Sequence, residues 1–354
     1  MSSAPISASR RLAAVLAAGA IALTACATGS QASTTPSAAS RVTLTVGSRP
    51  GVPAIGSGAI WVPNTGDGTL SRIDPGSNRV VATIRIGDPQ AFYQRSCAAY
   101  GSVHSFMVTT FDIRLCDLPS AVAAAPNAVW VLRNDARSLE RIDPASNRIV
   151  ATVPLGAAPW DLAASSTAVW VTSFLEDQVI RIDPQTNRVV RRFQGFSHGP
   201  SGIAISGNDV WVVSTFGAAV TRIDAARDAI AAVIPISCPG TCLAGPRPLA
   251  IALTPDAVWV RDEGDGTLSR IDPASNALVD TVPDDAFYGR DGVDAMGVTG
   301  QSLWVGGVAL QQRDVRTGRL IRRLDQTATA VAAAGRILWL TDVTGRVVRM
   351  DASG

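Results

Sequence analysis

Histidine is nearly absent from this chain: His104 and His198 are the only two among 354 residues. Imidazole-based metal centres and acid–base machinery are thereby confined to arrangements around those two side chains. Charge is scarce as well, with charged residues at 17% and a formal net charge of +2. Neither sign dominates, which excludes the basic field that nucleic-acid binding needs, so no nucleic acid is expected as a partner. A membrane-spanning helix is also lacking. The apolar run at residues 12–23 is twelve residues long, where a spanning helix needs about 20.

That short run fits an export signal instead. Arg10 and Arg11 precede it, and Leu23-Thr24-Ala25-Cys26 closes it. The tetrapeptide resembles the lipobox of bacterial lipoproteins. The resemblance implies cleavage before Cys26, a lipid on its sulfur, and a protein anchored to the bacterial cell membrane, facing outside the cytoplasm. Residues 27–40, ATGSQASTTPSAAS, have no apolar periodicity and little bulk, so they read as a flexible tether. The expected organisation is a signal peptide at 1–25, a tether at 26–40 and one folded domain at 41–354.

The remainder repeats itself. A tryptophan in a V-W-V-like strand recurs at Trp61, Trp130, Trp170, Trp211, Trp259, Trp304 and Trp339, which makes seven copies. Proline stands eleven residues before the tryptophan in the first five copies, and the aspartate of an R-I-D triplet stands thirteen residues after it. Each copy contains four strand candidates: a small apolar run, the tryptophan strand, the R-I-D strand and an alternating run such as NRVVATI. A D-P-x-[ST]-N turn joins the last two. There Asp accepts from turn amides, Pro presets φ, and Asn tolerates the left-handed position of a bulged hairpin. Four antiparallel strands per copy predict an all-β fold, a seven-bladed β-propeller. The seventh copy ends after its third strand. RVTLTVG at 41–47 would supply the missing outer strand and close the ring. The recurring arginines Arg72, Arg141, Arg181, Arg222 and Arg270 are read as scaffold, stacking or pairing between neighbouring blades.

Blades written VWV…RIDP.[ST]NRVVATI resemble the YVTN-type and NHL-like seven-bladed propellers, including the streptogramin B lyase group. The resemblance covers nearly all of the chain after the tether. It implies the fold, and it leaves the activity open because propellers host unrelated functions.

Spacings between successive tryptophans are 69, 40, 41, 48, 45 and 35 residues. The surplus falls between an outer strand and the next inner one, at 88–118, 238–247 and 286–292, all on one face of the disk. Connections this long are usually functional. AFYQR, with Tyr93 and Arg95, recurs as AFYGR, with Tyr288 and Arg290. These residues, with Tyr100, are candidates for aromatic and cationic contact with a partner. Cys97 with Cys116 and Cys238 with Cys242 each fall within one insertion, so two local disulfides are expected in an exported chain. Asp262, Glu263, Asp265, Asp284, Asp285 and Asp291 could line an acidic rim. GDG also closes the hairpin at 66–68, so solvated turn carboxylates are expected there, with no metal and no cofactor.

Two functions follow. In the streptogramin lyase group a histidine is implied in a G-P-H-G-like stretch, and Gly199-Pro200-Ser201-Gly202 places Ser201 there instead. Gly51, Ser120, Trp160, Ser201, Leu249, Asp294 and Thr329 fill the seven equivalent mouth positions. With His104, His198 and Arg247, the candidates Trp160, Ser201 and Asp294 complete a binding face for a protein, peptide or small molecule. A binding module, expected as a monomer, is the favoured reading, and no catalytic residue is assigned. The alternative is a lyase-like enzyme that opens a cyclic ester, with His104 or His198 assisting.

Overall fold

The turn between the third and fourth strands sets the local geometry of five of the seven blades. Asp74 accepts from the backbone amides of Ser77 (2.9 Å) and Gly76 (3.4 Å) and from the Ser77 hydroxyl. Led by that hydroxyl bond, these donors hold the Asp74 carboxyl below the usual carboxylate range. Asn78, Asn147, Asn187, Asp228 and Asn276 then adopt φ between 54° and 56°, the left-handed position that closes the hairpin. A register shift beside each such turn marks the bulge.

In a computed structural model, residues 41–88, 119–237, 245–284, 296–342 and 344–352 are described. They form seven four-stranded antiparallel sheets and, among these residues, no helix. Blade 1 comprises Ala54–Gly56, Ala59–Asn64, Thr69–Asp74 and Arg79–Arg85, from the innermost strand to the outermost. Blades 2 to 6 repeat this order within residues 122–154, 162–193, 200–235, 248–283 and 296–324. The architecture is therefore the seven-bladed propeller that the repeat predicts.

Burial grades outward as the residue pattern requires. Second strands such as Ala59–Asn64 are buried at every position, whereas the outer strand Arg79–Arg85 alternates exposed residues with half-buried ones and the buried Ile84. All seven repeat tryptophans are at most 2% exposed. Each packs among the apolar side chains of its own blade and the next, so the core is a ring of inter-blade layers.

The recurrent arginines link these layers. Arg72 lies over the Trp61 ring, 5.3 Å from its centroid, and donates to Pro144 O (2.6 Å) and Asn147 Oδ1 (2.9 Å) in the turn of blade 2. Arg141 makes the same contacts with Trp130, Pro184 O and Asn187 Oδ1. Arg181 pairs with Ala225 O and Asp228, and Arg222 with Pro273 O and Asn276 Oδ1. The turn residue that solves a backbone problem in one blade is thus also the acceptor for its neighbour. Blade 6 breaks the motif with D-V-R-T-G, and Gly318 offers no side-chain acceptor. Trp259 Nε1 donates to Val315 O instead (2.9 Å), and a Cβ at Gly318 would lie 2.7 Å from the Trp259 ring.

Ring closure follows the sequence expectation. Arg41–Thr45 pairs antiparallel with Arg346–Asp351 as the fourth strand of blade 7. Val46 N then bonds Gly345 O (3.0 Å), and Arg41 reaches Gln326 at the boundary with blade 6.

Two outcomes are expected from denaturant titration. Arg141→Ala removes a stacked, doubly hydrogen-bonded cation and should cost about 2 kcal/mol, while Arg148→Ala on the exposed outer strand should change stability by less than about 0.5 kcal/mol. Equal costs would show that the clamp contributes nothing. Deleting residues 41–47 should lower the melting temperature far more than deleting residues 27–40, because only the first cut opens the ring; equal melting temperatures would refute closure by this strand.

Candidate functional site on the loop-bearing face

The face that bears the insertions also carries the hairpins between second and third strands. In blades 1 and 5 these are polar, Thr65-Gly66-Asp67-Gly68 and Glu263-Gly264-Asp265-Gly266. Blades 3 and 4 depart from that chemistry with Phe174-Leu175-Glu176-Asp177 and Thr215-Phe216-Gly217-Ala218. The departure creates an aromatic patch.

Trp160 and Leu249, both mouth positions, are buried against Phe174 in one cluster. The Trp160 and Phe174 rings lie 4.8 Å apart, and Phe216 meets Phe174 edge-on at 5.4 Å. Phe216 is 56% exposed and Leu175 53% exposed, so the cluster supports an open apolar surface. Arg247 covers one side of the Phe216 ring, 5.8 Å from its centroid. Gly199, with φ of 75°, passes so close that a Cβ there would lie 2.7 Å from Phe174.

His198 borders the patch through its backbone, since its carbonyl accepts from Phe216 N (3.2 Å) and Gly217 N (3.1 Å). Its side chain is 82% exposed, with Nδ1 3.3 Å from Asp177 Oδ2. Asp177 Oδ1 meanwhile accepts from Gly199 N at 2.7 Å. Ser201 is different. It is fully buried, its hydroxyl is 2.8 Å from Thr215 Oγ1, and its carbonyl accepts from Thr172 Oγ1 (2.8 Å). Ser201 therefore joins blades 3 and 4 inside the wall and presents no hydroxyl at the surface.

The acidic rim resolves differently from the sequence expectation of solvated carboxylates. Asp262 and Asp284 are buried. Asp284 Oδ2 accepts from Arg261 Nε at 2.8 Å, and both side chains are buried. Asp262 Oδ1 accepts from the amides of Arg247 (2.8 Å), Gly264 (2.7 Å) and Asp265 (3.3 Å), so it holds the Arg247 segment against the blade 5 hairpin. Among the described residues its Oδ2 meets no donor. Burial, only partly offset by those amides, pushes the Asp262 carboxyl up to about 6.

Trp160, Arg247 and the backbone of His198 thus meet around Phe174 and Phe216. Those two phenylalanines do not stand out from the repeat pattern as site residues, although their apolarity where blades 1, 2 and 5 carry Thr65-Gly66, Asn134-Asp135 and Glu263-Gly264 is a visible signal. Cys26, Cys97, Cys116, Cys238, Cys242, Tyr93, Arg95, Tyr100, His104, Tyr288, Arg290 and Asp294 lie outside the described residues.

The Asp262 environment makes a pH prediction. A carboxyl raised in the folded state destabilises the fold as pH rises from about 4 through about 6, because the unfolded chain ionises first. Asp262→Asn keeps the Oδ1 acceptor and cannot ionise. Wild type and variant should melt together near pH 4, with the variant ahead by on the order of 3 kcal/mol above pH 7. Parallel curves across that range would refute an ionising Asp262.

No family model matches the chain, and no curated protein matches it in sequence. Solved structures of similar fold include selenomethionine-substituted virginiamycin B lyase from Staphylococcus aureus, with 16% identity, a TM-score of 0.66, and coverage of 88% of this chain and 98% of that one. Kuenenia stuttgartiensis hydrazine synthase is similar at 14% identity and TM-score 0.66, covering 88% and 97% of the two chains. U3-55K gives 11%, 0.69, 90% and 100% respectively. At these identities the likeness establishes the seven-bladed fold and nothing finer.

Proposed function

We propose that this protein is a lipid-anchored, extracytoplasmic binding module that captures a protein, peptide or small molecule on its loop-bearing face. The observation that carries this reading is the open surface of Phe216 and Leu175, backed by the buried Trp160, Phe174 and Leu249 and flanked by Arg247. Rigid aromatics with an arginine at the margin supply contact area at low entropic cost. The Tyr93–Arg95 and Tyr288–Arg290 pairs belong to the same face by sequence and extend the proposed surface. Export, lipidation of Cys26 and the two disulfides rest on the sequence motifs.

A second reading is a lyase-like enzyme, favoured by the fold shared with virginiamycin B lyase and by the His198–Asp177 pair. Against it, Ser201 replaces the histidine implied by that resemblance and is itself buried. Among the described residues, one solvent-exposed imidazole with one carboxylate offers a base without a second group to stabilise a developing charge.

Capture from an extracytoplasmic extract, quantified against a Phe216→Ser/Arg247→Ala double variant, tests the first reading. At least a tenfold loss of the retained species is expected. Equal retention by both proteins overturns the patch as the binding surface. Turnover of virginiamycin B that disappears on His198→Ala, with the melting temperature unchanged, would establish the second reading instead.

A further inference from the structure

We propose that Asp262 and Arg247 form a proton-operated latch on the aromatic patch: with Asp262 neutral, Arg247 lies over Phe216, and with Asp262 ionised, Arg247 turns to the carboxylate and uncovers the ring. The consequence for capture rests on the patch being the capture surface, whereas the latch itself does not.

Two buried atoms carry the argument. Asp262 Oδ2 and Arg247 Nε are both enclosed, and among the described residues neither has a hydrogen-bond partner. The first is an acceptor, strongest once the carboxyl ionises, and the second is a donor at every pH. The residues that bear them are already joined, because Arg247 N donates to Asp262 Oδ1 at 2.8 Å. The arginine stem then runs along the cap that holds the carboxyl. Arg247 Cγ lies 3.1 Å from where a Cβ on Gly264 would stand, and Gly264 N is itself a donor to Asp262. Nε is the second atom beyond that Cγ, so side-chain rotation brings the unpaired donor toward the unpaired acceptor while the backbone bond is kept. Buried polar groups are rarely left unpaired, and a complementary pair left unmade marks a site poised for a second arrangement.

Few other charges face this carboxyl. Val258 and Val260 share its side of the strand and pack on blade 4 with Trp211, Val213 and Ile234. There residues 214–220 and 229–235 carry no ionisable side chain, and neither does the first strand of blade 5 at 248–254. The third strand meets Asp262 through Thr267 and carries Arg270 and Asp272 toward its far end. Arg261, one residue earlier, turns to the opposite side and pairs with Asp284. The hairpin adds Glu263 and Asp265, and after burial it is Asp265 that works to keep the carboxyl neutral up to about 6. Among the described residues, Arg247 is the cation left to answer an ionised Asp262. While the carboxyl is neutral, the Phe216 ring, 5.8 Å away at its centroid, holds the guanidinium. Once it ionises, a charge-assisted hydrogen bond is the stronger contact, and it restores part of the stability that ionisation removes.

The test reads the latch on the purified protein with no partner present. Between pH 5 and pH 7.5 the Nε–H resonance of Arg247, identified by its absence from Arg247→Ala, should move downfield as the group meets a carboxylate, with a midpoint near pH 6. Nile red, a neutral apolar dye, should bind about threefold more tightly at the upper end, the gain expected from freeing roughly 30 Å² of apolar ring. Asp262→Asn should hold both readouts at their low-pH values. Arg247→Ala should bind the dye at the upper level throughout, and Phe216→Ser should bind it weakly at both ends. Imidazoles usually change charge in this range, so His198→Gln, which should keep both responses, separates the carboxyl from a histidine. A resonance that stays in place, a pH response retained by Asp262→Asn, a dye response retained by Arg247→Ala, or either response lost in His198→Gln would overturn the proposal. Failure of capture would count against the patch as a binding surface and leave the latch standing, since no partner enters these readouts.

Discussion

Four successive blade junctions, from blade 1 to blade 5, share one contact, an arginine stacked on its own blade's tryptophan and hydrogen-bonded to the turn of the next blade. A propeller blade cannot bury both faces alone, so its stability depends on how well it meets its neighbours. The tryptophan supplies the apolar area, and the arginine supplies direction. Because the acceptor is an asparagine, or Asp228 in blade 4, fixed at φ near 55°, a neighbour that folds its own turn correctly presents the acceptor in place. Local turn chemistry and long-range packing are therefore satisfied by the same residues, the agreement between levels that makes a fold specific.

The scaffold's regularity also defines where variation is permitted. Hairpins on the loop-bearing face take no part in the clamp, and blades 3 and 4 use that freedom to carry Phe174, Leu175 and Phe216. The patch stands on rigid strands through a buried layer, so its geometry is preorganised instead of being formed on contact. Asp262 extends the same logic. A buried carboxylate without a full set of donors is costly, yet here it fastens the backbone of Arg247, the cation beside the patch.

Blade number, strand order, ring closure and the scaffold role of Arg72, Arg141, Arg181 and Arg222 were legible in the sequence, because each rests on short-range residue patterns repeated at fixed offsets. The site was only partly legible. Trp160 and Arg247 stand out from their offsets, but the meeting of Phe174 with Phe216 is a contact between blades that no single repeat encodes. Ser201 looks like a mouth residue by alignment with its counterparts, and its hydroxyl turns instead toward Thr215. Burial of Asp262 and Asp284 was hidden for a related reason: a GDG turn in isolation is solvated, and only packing against Arg261 and the Arg247 segment removes the water.

The balance between capture and turnover comes down to what surrounds His198. A catalytic imidazole gains its power from a partner that fixes its tautomer and from a dry pocket in which charge development is worth stabilising. His198 has the first element in Asp177 and lacks the second, since most of its ring faces water. The neighbouring phenylalanines, by contrast, gain from that same location, because apolar area exposed over a rigid base is where removal of water upon contact yields the most free energy. That exposed apolar area over a rigid base is the ground on which capture is proposed ahead of turnover.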